Sequence, residues 1–107
     1  MSNNYMELLN KLGFKIDSIG YQYWLYAIKI SKKEYWKYSY NMEILYNEIA
    51  KRLNTSRGNI ERCMRTSSIP AKENIREYFN YTGKITTKVI LQLLIRKWGK
   101  TNEKDNI

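Results

Sequence analysis

Residues 45–65, LYNEIAKRLNTSRGNIERCMR, decide the reading of this chain. Ile49, Ala50 and Leu53 put apolar groups on one helical face, because residues three and four apart are neighbours on a helix. Ala50 is small, so a second helix can cross close to the backbone there. Asn54 tolerates the left-handed conformation that a tight turn between helices needs. Thr55 or Ser56 then offers a side-chain oxygen to cap the next helix. Ile60 returns an apolar group to the first helix, and Cys63 and Met64 continue that face. Arg57, Glu61, Arg62 and Arg65 are left pointing outward. A helix over residues 56–65 that is apolar inside and Arg-rich outside is what a DNA major groove asks for, and the whole stretch has the layout of a helix-turn-helix.

The flanks read as further helices. Met6, Leu8, Leu9 and Leu12 predict a short one over residues 5–12, stopped by Gly13. A connector follows over 14–20. Tyr21, Trp24, Leu25 and Ile28 predict a second helix to about residue 33. Its aromatic stripe reads as core packing, with dimer contact or tyrosine hydroxyls on phosphate as the alternative. Residues 34–40, EYWKYSY, fit the end of that helix, an aromatic loop or a short strand. Residues 42–53 form the first helix of the helix-turn-helix.

Downstream, Pro70 stops the recognition helix and pushes Ile69 out of the helical region. Residues 71–79 read as a short helix with Ile75 and Phe79 on one side, and 80–84 as a turn. Thr86 or Thr87 can cap a final helix over 88–98, ended by Gly99. That helix is apolar over more than one face, so it is central to the core or a dimer seam. The expected fold is all-α: a compact five- to six-helix domain over residues 1–99 with a central helix-turn-helix, then a disordered polar tail at 100–107. Residues 78–89, rich in Tyr, Thr, Ile and Val around Thr82-Gly83, are also compatible with a β-hairpin, which would make a winged helix-turn-helix.

Composition narrows the function. The chain has 107 residues, 43% hydrophobic, enough for one small domain with a modest core. Lys and Arg number 19 against 10 Asp and Glu, a net charge of +9. Such an excess favours a polyanionic partner, nucleic acid first and an anionic membrane surface second, or else it serves solubility alone. There is no histidine, which removes imidazole bases, Ser-His and Cys-His pairs and histidine metal ligands. The single cysteine cannot form an internal disulfide, which suits a reducing cytoplasm. No run approaches a membrane span, and the start, MSNNYMELLNK, is not a signal peptide. The expectation is a cytoplasmic protein and not an enzyme, with no catalytic residue, metal, cofactor or small-molecule substrate, no membrane association, and double-stranded DNA as partner.

Three stretches carry a resemblance to the DNA-binding effector domain of the sporulation master response regulator of endospore-forming Firmicutes. Leu12-Gly13, Gly20-Tyr21-x-Tyr23 and Ala27-Ile28 are similar to that family's G-Y-x-Y-L-x-x-A-I. Leu45-Tyr46-x-x-Ile49-Ala50-Lys51 resembles its L-Y-P-x-I-A-K. Asn54-Thr55 and Ile60-Glu61-Arg62-x-x-Arg65 resemble its N-T-T-x-x-R-V-E-R-A-I-R. The three stay in register from Gly13 to Arg65; beyond, only Asn74-Ile75 and Tyr81-Thr82 hint at the family. The resemblance implies an all-helical domain that binds a short promoter box and activates or represses transcription. It also implies DNA contact by Glu61, Arg62 and Arg65. The family's Ser-Arg pair at the start of the recognition helix falls on Gly58-Asn59, with an arginine displaced to Arg57, so a different base preference is expected. The family's phosphoacceptor domain has no counterpart here, so control is expected from expression, dimerisation or another partner.

Arg57, Glu61, Arg62 and Arg65 are therefore the candidate base contacts. Arg62 or Arg65 can fork onto guanine O6 and N7, worth about 1–3 kcal/mol of discrimination. Glu61 accepts from cytosine N4 or orients a neighbouring arginine, or else simply pairs with Arg65 one turn on. Lys51, Thr55, Ser56, Asn59, Lys84 and Lys88 are the candidate phosphate contacts; those at the start of the recognition helix have its free N–H groups beside them. Lys51 and Arg52 equally suit the negative end of their own helix. Cys63 reads as a small core residue rather than a redox sensor. The leading function is a small, homodimeric transcriptional regulator that reads paired half-sites, with the final helix as the seam. A plasmid or phage accessory protein for transfer, partition or replication is one alternative. A protein-interaction module that antagonises a full-length sporulation regulator is the other.

Overall fold

Helical periodicity and turn chemistry agree over most of the chain. The computed structural model describes residues 4–34 and 41–106, with side chains for 5–34 and 41–97. Among the described residues six helices follow one another: α1 (Asn4–Leu12), α2 (Ile19–Lys33), α3 (Met42–Leu53), α4 (Arg57–Ser68), α5 (Lys72–Phe79) and α6 (Thr87–Asn106), with a 3-10 turn, Ile69–Ala71, between α4 and α5. No strand occurs among the described residues. Of the segment 34–40, all but Glu34 lies outside them.

Short side chains punctuate the helices. Gly13 stops α1 at φ +99°, a conformation glycine adopts freely. The Asn74 amide donates to the Leu12 carbonyl at 2.8 Å, satisfying one of the orphan acceptors at that helix end. Ser18 caps α2 by accepting the Tyr21 N–H, and Asn41 caps α3 by accepting the Ile44 N–H. Ser18 sits in what the sequence reads as a connector, and Asn41 directly before the first residue of its predicted helix.

The core forms where α2 crosses α4, with α3 and α6 packed around the crossing. Trp24, Ile28, Leu45, Ile49, Ile60 and Met64 are fully buried, and so are Ile75, Ile90, Leu91 and Leu94. The aromatic stripe of α2 is thus core, as the periodicity suggests. Phe14 meets Trp24 edge to face with ring centroids 5.4 Å apart. The Trp24 indole N–H donates to the Met64 carbonyl at 2.9 Å, tying α2 to the middle of α4. Ile90, Leu91, Leu94 and Ile95 of α6 are buried in this core, while Val89 and Leu93 are half-buried.

Four readings are corrected, one of them the alternative hairpin. The recognition helix runs from Arg57 to Ser68 rather than ending near Arg65. Ile69 stays helical at φ −54°, ψ −48° as the first residue of the 3-10 turn, and Pro70 follows it in that first turn, where its missing N–H is not needed. Ser67 and Ser68 are tolerated inside because their hydroxyls donate to the Met64 and Arg65 carbonyls at 3.1 and 2.9 Å. The hairpin over 78–89 does not form: Phe79 ends α5, Asn80 caps it in the left-handed region at φ 52°, and α6 begins at Thr87. Finally, α6 continues through Gly99 to Asn106; a glycine within a helix costs only about 1 kcal/mol relative to alanine.

Candidate nucleic-acid interface

The helix-turn-helix is closed by the residues that local chemistry nominates. Asn54 adopts φ 56°, ψ 51°, and its N–H bonds back to Ala50. The Thr55 N–H donates to the same carbonyl at 3.0 Å. Of the two candidate caps Ser56 serves, accepting the Asn59 N–H at 3.1 Å. Ala50 and Ile60 are buried in the crossing, and α4 turns its polar face outward.

On that face Arg57, Glu61, Arg62 and Arg65 are all exposed. Glu61 and Arg65 form an i,i+4 ion pair at 3.2 Å, both about half exposed. Such a pair is worth only a few tenths of a kcal/mol, so it opens readily for a better partner. Arg57 lies 3.7 Å from Glu43 on α3, again in solvent. Arg62 donates from Nη2 to Asn59 Oδ1 at 2.8 Å. There is no acidic residue in the first turn of α4, so its positive end carries no carboxylate of its own.

The phosphate candidates separate into two groups. Lys51, Thr55 and Arg57 line a polar groove with Asn47 and Asn54 beside the turn. Thr55 is half-buried and accepts from the Asn59 amide at 3.1 Å. Asn59 is half-buried too, its amide nitrogen turned to Thr55 and to the Tyr23 hydroxyl. Arg52 pairs with Glu48 at 3.1 Å within its own helix.

Lys84 and Lys88 belong to a second groove of about 420 Å³ between α3, the end of α4 and the start of α6. Arg65 and Lys72 also line it, so four cations face a single carboxylate, Glu61. Thr86 caps α6 at its rim, accepting the Val89 N–H at 3.2 Å. Lys72 was not singled out from the sequence. Nothing local marks it; it arrives here because the 3-10 turn redirects the chain after α4. The loop that carries Lys84 is tied down by Arg76, whose Nη1 donates to the Tyr81 and Gly83 carbonyls at 3.3 and 3.0 Å. Tyr46 forms the floor. Burial pushes its hydroxyl up to about 12, with Glu61 adding to the rise and Arg65 and a Thr87 hydrogen bond opposing it.

The two grooves flank the outer face of α4 with positive charge. The sequence profile described as sporulation initiation factor Spo0A, C terminal, matches residues 5–89. This chain belongs to that family. The Spo0A C-terminal family is a DNA-binding domain of a transcription regulator, so the chain is a DNA-binding, helix-turn-helix protein of the sporulation-regulator type. The Spo0A match covers α1 to the first turn of α6, well beyond Arg65, where the residue motifs fade. No curated protein and no solved structure matches the chain significantly. Among the described residues no helix is long and apolar enough to cross a membrane.

Proposed function

We propose that this protein binds double-stranded DNA sequence-specifically and acts as a small transcriptional regulator, reading the major groove with α4. The observation that carries the reading is the exposed row Arg57, Glu61, Arg62 and Arg65 on the second helix of a capped helix-turn-helix. Arg62 and Arg65 read guanine edges, and Glu61 leaves its pair with Arg65 to accept from cytosine or to steady an arginine. Lys51, Thr55 and Ser56 hold phosphates at the start of α4, while Lys84 and Lys88, joined by Lys72, hold the backbone on the other side. The protein acts in the cytoplasm and binds paired half-sites as a homodimer, because a single small helix-turn-helix seldom supplies enough contacts alone.

The test is selection from a random duplex library, then anisotropy titration of the winning sequence at several salt concentrations, with Arg62→Ala alongside. A consensus whose preference relaxes at one position in the variant, by about 1–3 kcal/mol, supports base reading by α4. If no sequence is enriched and binding depends on salt alone, the net charge of +9 accounts for the affinity and the reading fails. Sedimentation of the complex tests the dimer; a single copy on the selected site ends that part.

A further inference from the structure

Arg62 does not stand alone on α4. Its Nη2 donates to Asn59 Oδ1 at 2.8 Å, one turn earlier. A guanidinium has only donors, so the Asn59 atom facing it is the oxygen, and the amide nitrogen must face the other way. There it meets two hydroxyls: Tyr23 at 3.3 Å and Thr55 at 3.1 Å. Both amide hydrogens are therefore taken inside the protein. Tyr23 is 6% exposed and sits on α2, anchored in the core beside Trp24. The chain of contacts thus runs from the core helix, through a half-buried amide, to an exposed arginine on the DNA face.

We propose that Asn59 and Tyr23 are positioning residues, holding the Arg62 guanidinium in one orientation so that its base preference is set partly from α2. This rests on the reading that Arg62 contacts bases. A long arginine side chain loses rotamer freedom on binding, and a group already held gives up less. Fixing it also favours one bidentate geometry over others, which bears on discrimination more than on total affinity. Asn59 consequently acts on bases through Arg62 and does not itself hold a phosphate.

The experiment compares Kd for the selected duplex, for duplexes changed at single base pairs, and for non-specific DNA. Wild type, Arg62→Ala, Asn59→Ala, Tyr23→Phe and the Asn59→Ala/Arg62→Ala double variant are measured at one salt concentration and again across a salt series. The expected result is a loss of discrimination of about 2- to 10-fold in Asn59→Ala at the base pair Arg62 reads, with non-specific affinity unchanged. Tyr23→Phe, which removes only the hydroxyl, shifts the same base pair in the same direction. The double variant is no worse than Arg62→Ala, because the two act in series. Should Asn59→Ala fail to fold, Tyr23→Phe carries the test alone. A uniform weakening on all sequences, with the salt slope reduced by about one, means that Asn59 holds a phosphate and overturns the proposal. An Arg62→Ala effect with no Asn59→Ala or Tyr23→Phe effect overturns it while leaving base reading by Arg62 intact. No base-specific loss in Arg62→Ala removes both.

Discussion

Gly20 on α2 lies directly against Cys63 on α4: a β-carbon at Gly20 would stand 2.8 Å from the Cys63 carbonyl carbon and 2.8 Å from Ser67 Oγ. The obstacle is helical backbone rather than the end of a flexible chain, so the two helices can cross at this distance only over a glycine. Gly20→Ala must push α2 away from α4 and loosen Trp24, whose indole is bonded to Met64 one residue further on. A destabilisation of at least about 3 kcal/mol is expected, the upper range for overpacking. Thermal unfolding should show a Tm lower by more than roughly 10 °C for a domain of this size. A change of a degree or two would mean that the helices are not this close.

Gly58 is the opposite case. It is exposed in the first turn of α4, and a β-carbon there meets nothing within 4 Å. Its φ needs no glycine, because Asn54 and Asn80 are the non-glycine residues at positive φ and Gly13 is the glycine there. Gly58→Ala should therefore raise stability by about 0.5–1 kcal/mol through helix propensity and a less flexible unfolded chain. Chemical denaturation would register this as a higher midpoint at unchanged slope.

These glycines also mark how far the sequence could be read. The helix-turn-helix was legible because each of its signals is local: apolar spacing around Ile49 and Ile60, Asn54 for the left-handed turn, a hydroxyl for the cap. Gly20 looked like the end of a connector, since its reason is a carbonyl 43 residues away on another helix. The hydrogen bond from Asn59 to the Tyr23 hydroxyl was hidden for the same cause, its partner lying 36 residues earlier. Pro70 misled in a different way. Its usual effect on the preceding residue was overridden by a 3-10 turn that lets α4 run on to Ser68 and brings Lys72 to the second groove.

Tyr46 gives a pH signature. Its hydroxyl is raised from 10.0 to about 12 in the folded protein, chiefly by burial and then by Glu61. The neutral form is favoured on folding, so this contribution is fully present below pH 10 and is lost as pH rises from about 10 to 12. A rise of two units corresponds to about 2–3 kcal/mol. Tyr21 is also raised by burial and adds to the same loss. Tyr46→Phe should flatten much of the fall in stability over this window while leaving the Tyr21 part. An unchanged alkaline profile in the variant would show that the Tyr46 hydroxyl ionises at its ordinary pH.

Arg76 is expected to matter to DNA without touching it. Its Nη1 holds the Tyr81 and Gly83 carbonyls, and between Gly83 and the cap at Thr86 the loop presents Lys84 outward and Ile85 inward. Arg76→Ala leaves those carbonyls without their donor and frees the loop. The cost is about 1–3 kcal/mol, the range for removing a charged donor from part-buried acceptors. Arg76→Lys should rescue little, because an ammonium on a flexible stem does not reproduce a planar fork. Amide exchange should speed up at residues 81–86 and stay slow at Trp24 and Ile28 in the core, which separates local release from global loss of stability. With Lys84 no longer held beside Lys88, affinity should fall by a similar factor on specific and non-specific duplexes, and the salt slope should shrink by no more than about one. If exchange quickens but both DNA quantities stay unchanged, Lys84 lies off the DNA path and the second groove is not part of the interface.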